Sequence, residues 1–590
     1  MNQTSVPPDT SSPLSPAARV LWAVLVLATL YLCYFHNLGA IGLVGPDEPR
    51  YAWIARDMAE TGDWITPRLY GKPWFEKPPL YYWGAALSFK LFGVSEAAAR
   101  LPSAVCALLG TLAMAWLAWR ICGAETARWV LLLLPTTVGM IGFSHAAATD
   151  MPFAAMLTVA MVFAVKLLNL VPPRPSRETT PDSLLSFTSY TTATYFASFF
   201  LGVFLGLATL AKGPAALILS AGGVLLWAVF SKCWRDAFRC LHPVAIIGFC
   251  LTALPWYILC AHRNPVFFRV FIIEHNFKRF LTPEFQHIQP FWYYAPVLVI
   301  AFIPWTSLLL FAGYFGGRKL WKDRKVSAPA LFCSWSLFCV LFFSISKSKL
   351  PGYVLPALPP VGLLLARSLT LLMPQFTKYF RWLLALYGAV FLVIAIPLFF
   401  FLGHTHGSYA TAAAARTLAL ILALSGVANW ILAIYKTSFK SRLPFSALCV
   451  LPILGLTLSV SSLLREVFPY DPSGKTLAAE LVSKQISSDL FVGPMGRGQY
   501  FGLNFYLHQE LANWDSSNPK QGYLLLSSKT CKLQVKAPWV CDATPSYLPA
   551  SGWFVYKVQR SNSPSELGGS GNGGTGGGRA GSNLNHGQPR

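Results

Sequence analysis

The stretch "RVLWAVLVLATLYLCYFHNL" (19–38) is apolar almost throughout, and segments of its kind decide the fold of this chain. About 20 such residues are enough for a helix to cross the hydrocarbon core of a bilayer. Comparable segments recur as far as residue 464, and 54% of the 590 residues are hydrophobic. Only 12% are charged, whereas a soluble protein carries about a quarter. The sequence therefore predicts a polytopic α-helical membrane protein.

The apolar segments predict about thirteen transmembrane helices. They lie near 19–38, 98–121, 127–144, 151–169, 193–211, 214–231, 243–261, 292–315, 329–345, 353–373, 381–403, 414–435 and 444–464. A shorter segment at 80–92 is expected to re-enter the membrane or to lie on its surface. No convincing cleavage site of small residues follows the first segment, so we expect a retained helix and not a removed signal peptide.

Basic residues divide the connecting loops into two alternating sets. One set is short and rich in Lys and Arg, which is typical of cytoplasmic loops; it comprises 120–128, 174–177, 232–239, 318–325, 378–381 and 436–442. Basic cytoplasmic loops are the first explanation for the excess of 47 Lys and Arg over 24 Asp and Glu, ahead of a nucleic-acid partner. The other set collects acids, histidines and proline-bounded turns, and it is predicted to lie outside the cytoplasm.

The first outer loop, "GPDEPRYAWIARDMAETGDWITPRLYGKPWFEKPPLYYW" (45–83), crowds acids and bases among aromatic residues and prolines. Its apolar residues follow helical spacing at Tyr51, Ile54, Ala55 and Met58. This pattern predicts an amphipathic helix on the membrane surface that ends at Gly62. Asp47 at the start of this helix has two interpretations, a helix cap or a functional acid.

The remaining outer loops offer similar alternatives. Asp150 in "ATDMPF" is either a cap or a second functional acid. Lys212, Lys347 and Lys349 lie in short outer loops, where the charge bias of membrane proteins disfavours lysine. They either extend toward lipid head groups or bind an anionic ligand. Because acids, bases and aromatic residues coincide on one side, we favour a site that binds a charged head group beside a reactive acid.

Several motifs resemble the lipid A aminoarabinose transferases. They are "PDEPRYAWIARDM" (46–58), "WFEKPP" (74–79), "AKGP" (211–214), "IEHNFKRF" (273–280), "FWYYAPVLVIAFIPW" (291–305) and "SKSKLPGYVLP" (346–356). This family belongs to the polyprenyl-phosphate-sugar-dependent glycosyltransferases of the GT-C fold, which include protein O-mannosyltransferases. The likeness covers roughly residues 20–360, with the motifs in the same order.

The resemblance implies a fold, a reaction and a location. The fold is a GT-C membrane domain of thirteen helices, with periplasmic surface helices and a periplasmic C-terminal domain. The donor is an undecaprenyl-phosphate-linked sugar, 4-amino-4-deoxy-L-arabinose, and the acceptor is lipid A or a precursor. The enzyme is expected in the bacterial inner membrane among membrane lipids, as a monomer, with its catalytic side in the periplasm and no nucleotide cofactor.

The resemblance also assigns roles to residues of this chain. Asp47 and Asp150 match the essential acids. Residues expected to hold the donor phosphate are Lys77, Lys212, Arg279 and Tyr353, with help from Lys347 or Lys349. Glu76 and His275 match positions for a divalent metal ion, Zn²⁺ or Mg²⁺/Mn²⁺, although two ligands are too few for a closed site.

The chemistry leaves the role of Asp47 and the acceptor open. A hydroxyl acceptor must lose a proton, which would make Asp47 a general base. The phosphate of lipid A is already anionic, and Asp47 would then bind the sugar's amino group or orient the acceptor. Other interpretations are a related transferase that glycosylates proteins or another periplasmic glycan, and a transporter or flippase of lipid-linked sugars.

The composition turns polar after residue 464, which predicts a small periplasmic α/β domain at 465–560 behind a membrane domain at 19–464. A helix is predicted at 474–485, and strands are predicted at 490–495, 522–528 and 552–560. Residues 1–18 and the Gly/Ser-rich 561–590 are predicted to be disordered tails.

Twelve cysteines occur in the chain, and two of them follow Cys449. A periplasmic location would allow these two, Cys531 and Cys541, to form a disulfide. The other ten lie in or near apolar segments, where cysteine acts as a small hydrophobic residue.

Overall fold

The computed structural model describes residues 15–171, 183–278, 288–313, 327–372, 378–401, 409–435, 442–467, 471–486, 489–514, 521–527, 539–541 and 546–560. Its first helices are α1 (Pro16–Tyr34), α2 (Asp47–Thr61), α3 (Leu80–Phe92), α4 (Glu96–Cys122), α5 (Ala124–Leu133), α6 (Val138–Ser144), α7 (Asp150–Leu167), α8 (Ser183–Lys212), α9 (Ala215–Ser231), α10 (Trp234–Ala237) and α11 (Pro243–Arg263).

The later helices are α12 (Tyr294–Ala301), α13 (Ala328–Ile345), α14 (Leu358–Leu372), α15 (Lys378–Phe401), α16 (Tyr409–Tyr435), α17 (Arg442–Val467), α18 (Lys475–Ser483) and α19 (Arg497–Leu507). Single-turn and irregular helices occupy Phe238–Leu241, Arg269–Lys278, Phe291–Tyr293 and Pro351–Ala357. The strands are β1 (Arg68–Leu69), β2 (Lys72–Pro73), β3 (Leu490–Val492), β4 (Ala512–Asn513), β5 (Gln521–Leu526), β6 (Trp539–Cys541), β7 (Ser546–Leu548) and β8 (Trp553–Arg560).

Nine helices within the described ranges are long and apolar enough to cross a membrane. The bent pair α5 and α6 adds a tenth candidate, and three shorter apolar helices cover Ala215–Ser231, Phe291–Ala301 and Ser446–Ser459. Every crossing predicted from the sequence overlaps one of these elements. The prediction of a polytopic helical membrane protein is confirmed, and the number of crossings stays a prediction.

Helix α7 lies at the centre of the membrane helices. Residues buried inside the protein make up 83% of its span, against 28% for α11. Its sequence is apolar on all sides and rich in alanine, which lets α4 and α8 pack closely against it. Asp150 is the first residue of this helix, so the packing of the core fixes the position of its backbone.

The first outer loop forms two helices and a small hairpin. Helix α2 buries the predicted apolar face, Tyr51, Ile54, Ala55 and Met58, against α3. It ends at Gly62, whose φ of 74° suits glycine. Strands β1 and β2 pair in antiparallel fashion between the two helices. The predicted helix and its end are therefore confirmed, and its place on the membrane surface stays a prediction.

The chain divides into two compact units. The first comprises Met1–Lys475 together with Arg497–Tyr506, and the second comprises Thr476–Gly496 and Leu507–Arg590. The second unit contains a six-stranded sheet in the order β4-β3-β5-β8-β6, with β7 paired to β8. Strand β3 runs parallel to β4 and β5, whereas β8 is antiparallel to its neighbours.

The C-terminal elements predicted from the sequence are present. The predicted helix is α18, and the three predicted strands are β3, β5 and β8. The short strands β4, β6 and β7 were not predicted, because two or three residues carry too little periodicity to show a strand. The helix α19 was not predicted either; it contains two glycines, Gly498 and Gly502, which weaken a helical pattern. Cys541 is disulfide-bonded, and its predicted partner Cys531 lies outside the described residues. The ten other cysteines are free.

Asp63 fixes the turn after α2. Its carboxylate accepts hydrogen bonds from the backbone N–H groups of Ile65 (3.1 Å) and Thr66 (3.3 Å) and pairs with Arg263 (3.1 Å). Burial opposes the charged form, but the two backbone hydrogen bonds and the charges of Arg263 and Arg68 outweigh it and lower the pKa of Asp63.

Asp63 should therefore give the protein a pH-dependent stability. Because the pKa of Asp63 is lower in the folded protein, its bonds stabilise the fold above the ordinary value of 3.8 and are lost as pH falls through the folded-state value. We expect Asp63→Asn to lower the unfolding temperature at about pH 7, with a deficit that shrinks as pH falls below 3.8. Melting curves of detergent-solubilised protein measure this, and an equal deficit at every pH would contradict it.

Candidate active site

Asp47 lies in a network of charges at the start of α2. Pro46 occupies the capping position and Asp47 makes no capping bond, so the interpretation of Asp47 as a helix cap is wrong. Its carboxylate pairs instead with Arg50, one turn further on, and Arg50 also contacts Glu76 at 3.2 Å. Lys77 approaches Glu76 at 3.7 Å. The network thus joins α2 to the "WFEKPP" motif.

Burial differs sharply across this network. The side chains of Arg50, Glu76 and Lys77 are 6%, 11% and 14% exposed, whereas that of Asp47 is 49% exposed. Burial opposes the charge of Arg50, but the carboxylates of Glu76 and Asp47 outweigh it and raise its pKa. Arg50 therefore stays cationic, and the half-exposed carboxylate of Asp47 is the group that a substrate can reach.

Asp150 and Lys212 form the second charged pair. Thr149 holds the capping position of α7, and Lys212 Nζ donates a hydrogen bond of 2.5 Å to Asp150 Oδ1. Lys212 also lies over the ring of Tyr353, 4.6 Å from its centroid. The helix-cap interpretation of Asp150 and the lipid-facing interpretation of Lys212 are therefore wrong. The predicted residues Asp150, Lys212 and Tyr353 come together in one place.

Gly352 makes room for the carboxylate of Asp150. A Cβ atom at this position would lie 2.6 Å from Asp150 Oδ1 and 2.8 Å from Phe143 Cε1. Both distances are shorter than real Cβ contacts, so a larger residue must displace Asp150 or the loop that carries Tyr353. The glycine of the "KLPGY" motif is thus part of the geometry of the site.

We expect Gly352→Ala to reduce activity about 10- to 100-fold, because a shift of about 1 Å in a reacting group has effects of that size. The measurement is initial transfer rate at equal amounts of folded protein. Gly142→Ala is the matched control, since a Cβ there would meet nothing within 4 Å. Equal activity in both variants would contradict the role of Gly352.

A buried ion pair links the two acid-bearing loops. Arg100 of α4 donates to both carboxylate oxygens of Glu48, at 3.1 and 2.8 Å. Glu48 also accepts hydrogen bonds from the backbone N–H groups of Val44 and Ala147, at 2.8 and 2.7 Å. Glu48 follows Asp47, and Ala147 lies three residues before Asp150. The pair therefore holds the segments that carry both acids against each other.

The two lysines of "SKSK" have different environments. Lys347 is exposed, whereas Lys349 is only 6% exposed and donates a 2.6 Å hydrogen bond to the carbonyl oxygen of Ser346. Burial and the charge of Lys347 lower the pKa of Lys349. No carboxylate pairs with Lys349 among the described residues. Because a buried charge without a partner is costly, the Lys349 ammonium favours binding of an anionic ligand.

Glu76 is the residue of the predicted metal site whose side chain the structure describes. Glu76 is already neutralised by Arg50 and Lys77, which compete with a metal ion for its oxygens. In the described part of the chain, no three His, Cys, Asp or Glu residues are grouped to hold a metal. The side chain of His275 lies outside the described residues, as does Arg279, the remaining residue predicted to hold phosphate. The metal requirement stays a prediction.

The sequence analysis missed three residues that shape the site: Arg50, Arg100 and Gly352. Arg50 could have been found, because its spacing of three from Asp47 on a predicted helix places the two side chains together. No local pattern identifies Arg100 or Gly352. Their partners lie far away in the sequence.

Comparisons with known proteins show which family this chain resembles. The family model described as dolichyl-phosphate-mannose-protein mannosyltransferase matches residues 20–271. An undecaprenyl phosphate-alpha-4-amino-4-deoxy-L-arabinose arabinosyl transferase from Enterobacter sp. (strain 638) is 30% identical over 478 residues, 80% of this chain and 81% of that protein. A relative of the same name from Serratia proteamaculans (strain 568) is 34% identical over 356 residues, 59% of each chain.

The fold has a solved counterpart. The crystal structure of ArnT from Cupriavidus metallidurans bound to undecaprenyl phosphate superposes with a TM-score of 0.70. The match covers 91% of this chain and 98% of that one, at 24% identity. The predicted GT-C fold is confirmed.

Fold and relatives together define the class of protein, an integral membrane glycosyltransferase that uses a polyprenyl-phosphate-linked sugar. The chain belongs to the family of undecaprenyl phosphate-alpha-4-amino-4-deoxy-L-arabinose arabinosyl transferases. Membership of a transferase family decides against the transporter or flippase.

Proposed function

We propose that this enzyme transfers 4-amino-4-deoxy-L-arabinose from undecaprenyl phosphate to lipid A at the periplasmic face of the inner membrane. Family membership supports the donor and the sugar. The observation that carries the proposal is the arrangement of charges: two acids, each held by its own cation, on segments joined by the Glu48–Arg100 pair. A buried lysine without a carboxylate partner among the described residues adds a position for phosphate.

The cations act on the leaving group. When the bond between sugar and phosphate breaks, negative charge grows on the polyprenyl phosphate, and fixed cations in a water-poor site stabilise it strongly. Lys212 and Lys349 are suited to this role because both are largely buried. Tyr353, beside Lys212, offers a hydroxyl donor on the same motif as Lys349. Lys77 contributes from the "WFEKPP" side.

The acids act on the sugar. The anomeric carbon gains positive charge in the transition state, so a nearby carboxylate is favourable. Asp47 is the accessible carboxylate, since Arg50 holds its Oδ1 atom while half of the side chain stays exposed. With an anionic phosphate as acceptor no base is required, and Asp47 then binds the amino group of the sugar or orients the acceptor. No step in this scheme requires a metal ion.

Mass spectrometry of lipid A tests the acceptor and the sugar together. Lipid A is compared from cells that lack the enzyme, cells that express it, and cells that express Asp47→Asn. The proposal expects a phosphate carrying one added aminoarabinose residue only with the wild-type enzyme. Unmodified lipid A together with a newly glycosylated protein or glycan would overturn it in favour of a related transferase.

Labelling of introduced cysteines tests the side of the membrane. Thr61 at the end of α2 and Arg235 in α10 are both exposed and lie in loops of the two opposite sets. We expect a membrane-impermeant maleimide to label Thr61→Cys in intact spheroplasts and Arg235→Cys only after the membrane is opened. The reverse pattern would place the catalytic residues in the cytoplasm and contradict the proposed location.

A further inference from the structure

Helix α19 leaves the second unit and joins the first. Its residues Arg497–Tyr506 belong to the compact unit that contains the membrane helices, although the flanking segments belong to the other. Two glycines allow close backbone packing within the first unit. A Cβ atom at Gly498 would lie 3.0 Å from the carbonyl carbon of Gly45, and one at Gly502 would lie 1.9 Å from the carbonyl oxygen of Ser473. The helix thus lies against the chain two residues before Asp47.

Polar side chains anchor the other end of this segment. The hydroxyl of Tyr506 accepts a 2.8 Å hydrogen bond from the backbone N–H of Leu43 and donates one of 3.1 Å to Glu96. Asn504 donates a 2.9 Å hydrogen bond to the hydroxyl of Tyr70. These contacts fix the rotation of the helix and therefore the direction in which Phe501 points.

Phe501 contacts the arginine that holds Asp47. The guanidinium of Arg50 lies 5.2 Å from the centroid of the Phe501 ring, with Trp74 at 5.5 Å and Tyr51 at 5.9 Å. These three rings surround the cation, while its nitrogen atoms pair with Asp47 and Glu76. Tyr51 and Trp74 come from the first outer loop itself, and Phe501 is the ring supplied by the C-terminal region.

We propose that the segment Arg497–Tyr506 is a positioning element of the active site, in which Phe501 holds the guanidinium of Arg50 and thereby orients the carboxylate of Asp47. The inference rests on the proposed function, because it assigns Asp47 to the transfer reaction. A ring face attracts the guanidinium electrostatically, and a desolvated contact of this kind is worth about a factor of ten. Loss of the ring should lower turnover, because Phe501 acts through Arg50 on Asp47 and so on the charge that develops at the anomeric carbon. The lysines proposed to hold the donor phosphate are unchanged in such a variant.

Variants of the full-length enzyme in detergent or lipid separate the effect of the aromatic ring on kcat from the effect of the side chain's bulk. Phe501→Leu keeps an apolar side chain and removes the ring, and we expect kcat to fall about tenfold with KM for the donor lipid unchanged. Phe501→Tyr keeps the ring and should stay within about twofold of the wild type. Val482→Ala, at an exposed apolar residue of α18 outside this segment, is the control and should leave kcat unchanged. Equal unfolding temperatures confirm that each variant is folded.

A double-mutant cycle isolates the contact between the two side chains. Arg50→Met removes the cation, so Phe501→Leu should cost much less in that background than in the wild type. Full kcat in Phe501→Leu, a loss confined to KM, or additive effects in the cycle would each overturn the inference. Transfer by the wild-type enzyme in the same assay shows that such a failure concerns Phe501 and not the proposed function.

Discussion

Asp47→Asn is expected to lower sugar transfer at least about 100-fold while the protein remains folded. The substitution keeps the shape of the side chain and removes its negative charge. That charge stabilises the positive anomeric carbon or binds the amino group of the sugar, and either role is lost in the amide. The fold should tolerate the change, because the side chain is half exposed and Arg50 retains Glu76 as a partner.

Transfer from the isolated donor lipid to lipid A, measured at saturating donor, gives the kcat of this variant. Glu60→Gln is the matched control: it lies on the same helix and also pairs with an arginine, Arg56, at 2.7 Å. An exposed pair of this kind contributes little, so the control should keep nearly full activity. Near-normal transfer by folded Asp47→Asn would refute the catalytic assignment.

Lys212→Ala should also lower kcat/KM for the donor at least about 100-fold, the scale of removing one fixed charge from a transition state. Two effects act together. The growing charge on the leaving phosphate loses a buried cation, and Asp150 loses the partner that holds its carboxylate at 2.5 Å. Lys212→Arg keeps the charge and should recover part of the activity, limited by the space beside the Tyr353 ring.

The control for this prediction is Lys166→Ala, at the far end of the helix that begins with Asp150. It removes the same charge from the opposite end of the same element and should leave activity unchanged. The measurement is the dependence of initial rate on donor concentration. Similar losses of activity in Lys166→Ala and Lys212→Ala would mean that activity depends on the total charge of the protein. That result would contradict the proposed role of Lys212 in binding the donor phosphate.

Local sequence patterns predicted most of the fold. Apolar segments such as 19–38 are predicted to cross the membrane from their length and hydrophobicity, because these two properties stabilise a helix in a bilayer whichever helices pack beside it. Spacing along α2 predicted its buried face, and Gly62 predicted its end, since both depend on residues within a few turns. The enrichment of Lys and Arg in cytoplasmic loops separated the candidate site residues from the basic residues of those loops. This rule also depends only on the local sequence.

The resemblance of the motifs to a known family also predicted candidate site residues. It placed Asp150, Lys212 and Tyr353 in one site, and the structure brings all three together. It did not show which cation holds which acid. Nor did it distinguish the exposed Lys347 from the buried Lys349, since burial depends on the packing of the whole loop.

Tertiary structure alone decided how the charges are arranged. Glu48 accepts a hydrogen bond from the backbone of a residue 99 positions away, and Asp150 pairs with a lysine 62 positions away. The ring of Phe501 reaches Arg50 from the C-terminal region. Periodicity and loop charge describe neighbours in the chain, whereas these contacts depend on how packed helices align distant segments. The sequence by itself determined a membrane glycosyltransferase and a set of candidate site residues; packing determined which of those residues meet.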